Sequence, residues 1–166
     1  MLNFDTLFLD RDGVINIKLK GRYVRNIQEF VFMPEAESAI VNLSKIFKRI
    51  LIITNQQGIG KGIMSSNDLN SLHEEMLKKI REKGGVIDKI YYCPHLAAKL
   101  CSCRKPNTGM ISQAISEFPD LVTQNSYLVG DSDSDIQAGK KMGLKTVKVD
   151  NNFTLAKWSK EFLSVI

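Results

Sequence analysis

The chain has 166 residues, 43% hydrophobic and 25% charged, which suits one packed core and is too short for a second, substrate-closing domain. Lys and Arg exceed Asp and Glu by a formal +5, a modest basic balance compatible with a phosphorylated partner or with an ordinary solvated surface. No stretch approaches the roughly 20 apolar residues of a membrane span, and the start, Met1 to Asp5, lacks the basic and apolar regions of a leader, so the expectation is a cytoplasmic protein with no membrane partner.

In chain order, an apolar run at 6–9 reads as a strand. Residues 35–47 then carry Ala36, Ala39, Ile40, Leu43 and Phe47 at helical spacing. A strand over 50–54 contains Ile50-Leu51-Ile52-Ile53, continuously apolar as burial on both faces requires. Leu69, Leu72, Met76, Leu77 and Ile80 stripe a second long helix, which Ser65 or Ser66 can cap and Gly84-Gly85 can end. Strands at Lys89–Cys93, 126–130 and 145–149 alternate with helices at 109–118, 133–142 and 154–163. No repeat, Pro-rich linker or low-complexity tract interrupts the series. The pattern predicts an α/β fold: a single doubly wound, parallel-sheet, Rossmann-like domain over 1–166, with ligands at the carboxyl ends of its strands.

Two acidic groups stand where strands run out. In Leu7-Phe8-Leu9-Asp10-Arg11-Asp12-Gly13 the carboxylates of Asp10 and Asp12 are two residues apart, on one side of an extended backbone. Val129-Gly130-Asp131-Ser132-Asp133-Ser134-Asp135 repeats the arrangement after another strand. Either alone reads equally well as a turn or a helix cap; together they could converge on one Mg²⁺, which prefers hard oxygen ligands. Two competing motifs fail. An EF-hand opening at Asp131-x-Asp133-x-Asp135 has Ile136 where Gly is needed and Met142 where Glu is needed. A phosphate loop at Gly58-Ile59-Gly60-Lys61-Gly62 lacks the hydroxyl residue after the lysine, and Asn55 occupies the place of its first glycine.

Asp10-Arg11-Asp12-Gly13, Thr54-Asn55-Gln56, Lys105 and Gly130-Asp131 with Asp135 resemble, in order and placement, the four motifs of the haloacid dehalogenase-like phosphatases. The resemblance implies Asp10 as nucleophile and Asp12 as the acid that protonates the leaving oxygen and later activates water. It implies Thr54 and Lys105 as the groups that hold the transferring phosphoryl, consistent with fixed donors and positive charge stabilising its equatorial oxygens. Mg²⁺ would be held by Asp10, the Asp12 carbonyl and Asp131, with Asp135 orienting the set. The chain is too short for the large cap of other superfamily members, so an open site shaped by loops is expected.

All three cysteines lie between Cys93 and Cys103. With His95 they make Cys93-Pro94-His95, five intervening residues, then Cys101-Ser102-Cys103, the Cys₃His donor set of a closed tetrahedral zinc site. Four protein ligands leave no place for water, so this zinc loop, 93–103, should be structural and should aim Arg104 and Lys105. A zinc loop running into Cys-Arg-Lys-Pro resembles two phosphatase subfamilies, the heptose 1,7-bisphosphate 7-phosphatases and the histidinol-phosphate phosphatases. Tyr23-Val24 with Phe30, the run from Thr54 to Gly62 and Arg104 to Met110 favour the first, whereas the five-residue spacing between His95 and Cys101 resembles the second.

The substrate is therefore expected to be a small phosphorylated sugar or amino alcohol. Its expected contacts are Arg11, Lys18, Lys20, Gly21, Arg22, Tyr23, Asn55, Gln56, Gln57, Arg104 and Ser132. A nucleic-acid 3′-phosphatase or a non-catalytic zinc module are the rival readings; no aromatic stacking series or basic helix supports nucleic acid. The protein is expected to be a monomer. His73, beside Glu74 and Glu75, reads as a solvated residue without a role, and Trp158 as packing.

Overall fold

The computed structural model describes residues 4–166; Met1 to Asn3, part of the segment read for a leader, lie outside them. Five parallel strands, β1 (Phe4–Leu9), β2 (Phe47–Asn55), β3 (Lys89–Cys93), β4 (Tyr127–Gly130) and β5 (Lys145–Lys148), form one sheet in the order β3-β2-β1-β4-β5. Six helices accompany them: α1 (Ala36–Leu43), α2 (Gln57–Gly60), α3 (Ser66–Glu82), α4 (Gly109–Glu117), α5 (Asp133–Lys141) and α6 (Leu155–Ser164). The register places Leu9 beside both Ile52 and Val129, so β1 is central and the strands on either side of it are also parallel.

Alternation along the central strands divides the core. Leu7, Leu9, Ile50 and Ile52 pack with α1, α3 and α6 on one face, through Ile40, Leu43, Leu72, Met76 and Trp158. Phe8, Leu51, Ile53 and Leu128 pack with α4 and α5 on the other, through Met110, Ile111 and Ala138. Both faces are apolar because both are covered, which is what the unbroken Ile50 to Ile53 run required. At the carboxyl edge the connections are loops over 10–35, 56–65 and 94–108, without a large cap among the described residues.

The helix expected over 35–47 stops at Leu43. Ser44 Oγ bonds back to the Ile40 carbonyl at 2.7 Å, and Phe47 opens β2 opposite Phe4. There Phe47 joins Phe4, Tyr127 and Phe162 in one aromatic cluster, so tertiary packing overrides its helical spacing. Trp158 stacks on Phe162 with ring centroids 5.0 Å apart and is buried, a packing residue as expected. At the start of α3, Asp68 N–H donates to Ser65 Oγ and Ser65 N–H to Asp68 Oδ2, a reciprocal cap that makes Ser65, not Ser66, the capping residue. The short α2 went unpredicted because its two glycines give no helical period. Among the described residues, no helix is long and apolar enough to cross a membrane.

Candidate active site

Strand order reverses between β1 and β4, the position at which an open parallel sheet leaves a crevice at its carboxyl edge. Asp10 follows β1 and Asp131 follows β4, and both line a cleft of about 260 Å³. The two loops meet at Gly13, whose φ of 88° lies in the left-handed region; a Cβ there would sit 2.3 Å from Asp131 Oδ2. Only glycine permits this approach.

Asp10, Asp131 and Asp135 bring one carboxylate oxygen each within 4.8 Å of one another. Into this group reaches Lys105, almost fully buried, its Nζ 2.9 Å from Asp10 Oδ1, 2.6 Å from Asp135 Oδ1 and 2.8 Å from the Ile53 carbonyl. Burial raises the Asp10 pKa; Lys105 opposes that rise, while Asp135, Asp131 and Asp12 add to it. One buried cation thus faces three crowded carboxylates. Asp131 Oδ1 is buried without a hydrogen-bond partner, and its Oδ2 takes only the half-exposed Lys18, at 3.0 Å. A charge deficit and an orphaned carboxylate oxygen fit a divalent, oxygen-ligated cation such as Mg²⁺.

Asp12 stands apart from that group, held by three donors. Arg11 Nη2 (2.9 Å) and Asn16 Nδ2 (3.0 Å) reach its Oδ1, and Gln56 Nε2 (2.9 Å) its Oδ2. Burial alone would raise its pKa, but the Arg11 charge and these hydrogen bonds outweigh it and hold the carboxyl below its usual range. The side chain of Asp12 is therefore no member of the metal cluster; only its main-chain carbonyl remains for that task.

The expected substrate contacts separate into groups. Lys18, Arg22, Tyr23 and Arg104 line the cleft, and Arg104 Nη1 is a buried donor without a partner. Asn55, Gln56 and Gln57 also line it, but their amides are committed to the protein. Asn55 accepts from the Lys105 N–H (3.0 Å) and donates to the Lys105 carbonyl (3.2 Å). Gln56 donates to Asp12 and to Thr54 Oγ1, the latter at 2.8 Å. Gln57 donates to the Tyr23 hydroxyl (2.8 Å) and accepts from the Ala97 N–H (3.1 Å). These three residues are therefore braces between loops. Thr54 is buried beneath the cleft, and because its oxygen accepts from Gln56 its own proton is left to give.

Two of the expected contacts line the cleft with their side chains already engaged, and two further expectations need correction. Arg11 lines the cleft, but its side chain is fully buried with the guanidinium on Asp12 and His73, so that group is engaged in bracing Asp12. Lys20 and Gly21 lie outside the cleft, because the turn at Gly21 (φ 71°) carries Lys20 into solvent. Ser132 lines the cleft, but its hydroxyl donates to Asp135 Oδ2 (2.7 Å) and its N–H reaches the same oxygen (3.1 Å), so it orients Asp135. His73 is buried, 3.1 Å from Arg11, where a solvated residue was expected. Asn16, also fully buried, was missed altogether. A signal for His73 was present: it sits four residues after Leu69 and three before Met76, on the apolar stripe.

Cys93, His95, Cys101 and Cys103 cluster as the spacing predicted, with their ligand atoms within 4.8 Å of one another. Cys93 Sγ lies 3.4 Å from His95 Nδ1 and 3.7 Å from Cys101 Sγ, close to the roughly 3.8 Å edge of a tetrahedral zinc–thiolate site. The Cys103 edge is tighter, 2.6 Å to Cys93 Sγ and 3.1 Å to His95 Nδ1. Burial pushes the Cys93 thiol up to about 12, reinforced by its contact with Cys103. Three thiols and an imidazole at these distances are a donor set that Zn²⁺ can hold, the thiols losing their protons as the ion binds. Asn107 Nδ2 donates to the Cys101 carbonyl (2.7 Å) and the Gly109 N–H to the Ser102 carbonyl (2.8 Å), which ties the loop to the start of α4.

Comparison with known proteins agrees with this geometry. The HAD-hydrolase-like family model matches residues 102–163. The D-glycero-alpha-D-manno-heptose-1,7-bisphosphate 7-phosphatase of Campylobacter jejuni is 43% identical over 149 residues, covering 87% of this chain and 81% of that one. The bifunctional histidine biosynthesis protein HisB of Blochmanniella floridana is 32% identical over 89% of this chain, which spans only 41% of it. Among solved structures, the D,D-heptose 1,7-bisphosphate phosphatase from B. bronchiseptica, complexed with magnesium and phosphate, superposes with a TM-score of 0.89 at 29% identity, covering 98% of this chain and 99% of that one. The chain is a phosphatase of the haloacid dehalogenase-like superfamily and belongs to its heptose-1,7-bisphosphate 7-phosphatase family.

Proposed function

We propose that this phosphatase removes the 7-phosphate of D-glycero-D-manno-heptose 1,7-bisphosphate through an aspartyl-phosphate on Asp10, with a catalytic Mg²⁺ and a structural Zn²⁺. The observation that carries the reading is Lys105, brought by the cysteine loop onto Asp10 where Asp131 and Asp135 converge. The names and coverage of the relatives support the heptose substrate.

In the first step an Asp10 carboxylate oxygen attacks phosphorus while the bond to the sugar oxygen breaks; Asp12, ionised in the free protein, takes up a proton as the negatively charged phosphate binds beside it and gives that proton to the departing alkoxide. In the second, Asp12 takes a proton from water, whose oxygen attacks phosphorus and releases inorganic phosphate from Asp10. Lys105 supplies fixed positive charge and Thr54 a hydroxyl proton to the transferring group, and Arg104 has a free donor for the rest of an anionic substrate. A Mg²⁺ held by Asp10, Asp131 and the Asp12 carbonyl, with Asp135 behind, would neutralise charge on the phosphoryl oxygens. Zinc on Cys93, His95, Cys101 and Cys103 would stiffen the loop that delivers Arg104 and Lys105.

The test compares kcat/KM for heptose 1,7-bisphosphate, histidinol phosphate, fructose 1,6-bisphosphate and a 3′-phosphorylated oligonucleotide, with ³¹P spectroscopy to identify the phosphorus lost. A clear preference for the heptose, with loss of the 7-phosphate, is expected. Near-equal efficiencies, or preference for histidinol phosphate or the oligonucleotide, overturns the assignment.

A further inference from the structure

His73 has no place in the mechanism above, yet it is among the few buried ionisable groups near the cleft. It projects from α3 with Leu69, Leu72 and Met76 and is 6% exposed. Its Nε2 lies 3.1 Å from Arg11 Nη1. A guanidinium has only donors, so Nε2 accepts, and the imidazole is neutral with its proton on Nδ1. Burial first, and the Arg11 charge second, push the His73 pKa down to about 3, in keeping with that state.

The partner is an unusual group. Arg11 is a completely buried cation whose Nε has no hydrogen-bond partner. Two contacts hold the guanidinium, Nη1 on His73 and Nη2 on Asp12 Oδ1. A planar group anchored at one end can pivot; anchored at two nitrogens it cannot, and its Nη2 then fixes where the Asp12 oxygen points. Without the imidazole, Nη1 would join Nε as a second buried donor left unpaired, and the guanidinium would be driven to turn toward any other acceptor.

We propose that His73 is a positioning residue for Asp12, acting through Arg11 as the acceptor that locks the guanidinium. The inference rests on Asp12 being the proton donor to the leaving group. It specifies an acceptor at this position, which a residue that merely fills core volume would not need to be.

The experiment uses the metal-loaded enzyme and four forms: wild type, His73→Gln, which keeps an acceptor, and His73→Leu and His73→Met, which keep volume only. Each is assayed on heptose 1,7-bisphosphate and on p-nitrophenyl phosphate, whose phenolate leaves without needing a proton. His73→Leu is expected to lose about tenfold or more in kcat on the sugar phosphate, a fraction of the full worth of a general acid, with KM within about twofold. On the aryl phosphate the loss is expected below about threefold, and His73→Gln should recover most of the sugar-phosphate rate. His73→Met gives the same comparison should Leu fold poorly. Equal losses on both substrates, or a Gln variant no better than Leu and Met, overturns the proposal. Should wild type hydrolyse the aryl ester and other alkyl phosphates but spare the heptose, the substrate assignment fails separately, and the His73 comparison is read on the alkyl phosphate accepted.

Discussion

Replacing Lys105 by methionine keeps the length of the side chain and removes its charge. In the native protein Nζ touches Asp10, Asp135 and the Ile53 carbonyl in a place with almost no solvent access. Deleting one partner of a buried ion pair costs about 3–5 kcal/mol, because the charge left behind finds no water. Leaving the carbonyl unpaired adds about 1 kcal/mol. Total stability of a domain is about 5–15 kcal/mol, so Lys105→Met should fold but melt about 10 °C or more below wild type. The penalty also has a pH signature. Lys105 is the strongest influence lowering the Asp10 pKa, which burial already raises, so without it Asp10 holds its proton to still higher pH. A protonated carboxyl needs no counter-charge; the stability gap between the two proteins must therefore be narrow in acid and widen as pH rises and Asp10 ionises. Urea unfolding at pH 6 and pH 9.5, on either side of the Asp10 pKa of about 8 and followed by circular dichroism, measures both values. A loss under about 1 kcal/mol at pH 9.5, or a wider gap at pH 6, would refute this account of the buried cluster. Hydrolysis by the variant should fall by about 100-fold or more, through loss of the fixed cation.

Mg²⁺ binding at neutral pH should release protons, because the raised Asp10 pKa leaves that carboxyl largely protonated until a cation replaces the proton; calorimetry in buffers of different ionisation heat reads the number, and a value of zero contradicts the assignment. Chelation of zinc, or Cys101→Ser, should speed proteolysis within 93–103 and depress turnover while leaving the sheet's far-ultraviolet signal in place; full activity in chelated, zinc-free protein is the contrary result. His73 accounts for part of the acid sensitivity. Its pKa falls from 6.5 to about 3 on folding, so between those values the unfolded chain binds the extra proton, and the stabilisation present above about pH 6.5 is lost as pH drops. His73→Leu should show a shallower fall in melting temperature between pH 7 and pH 4 than wild type; parallel curves would contradict the buried neutral imidazole.

The loop after β2 shows how a motif can be found correctly and read too simply. Asn55, Gln56 and Gln57 were expected to touch substrate, since they follow a strand end and carry amides. In the fold those amides join Lys105, Asp12 with Thr54, and Tyr23 with Ala97. Three loops far apart in sequence are braced by three consecutive residues. This explains how an open site without a large cap can be held in shape. It could not be read from the chain because an amide's partners are set by which loops meet at the sheet edge.

Sequence alone determined the elements whose signal is local or periodic. Short apolar runs between helical stretches marked the strands, most clearly Ile50 to Ile53 in β2, which is covered on both faces, and helical stripes marked α3 and α1. The acidic groups at the ends of β1 and β4 and the Cys₃His spacing were legible because few other purposes require those residue types at those intervals. Tertiary structure decided everything that depends on partners distant in the chain. It ended α1 at Leu43 so that Phe47 could enter the sheet, turned Lys20 away from the cleft, and buried Arg11 behind Asp12. It also set His73, 62 residues further on, against that arginine. Burial and hydrogen-bond partnership are properties of the assembled core, and the charge neighbours of His73 in sequence, Glu74 and Glu75, pointed to solvent while the helix turned the imidazole inward.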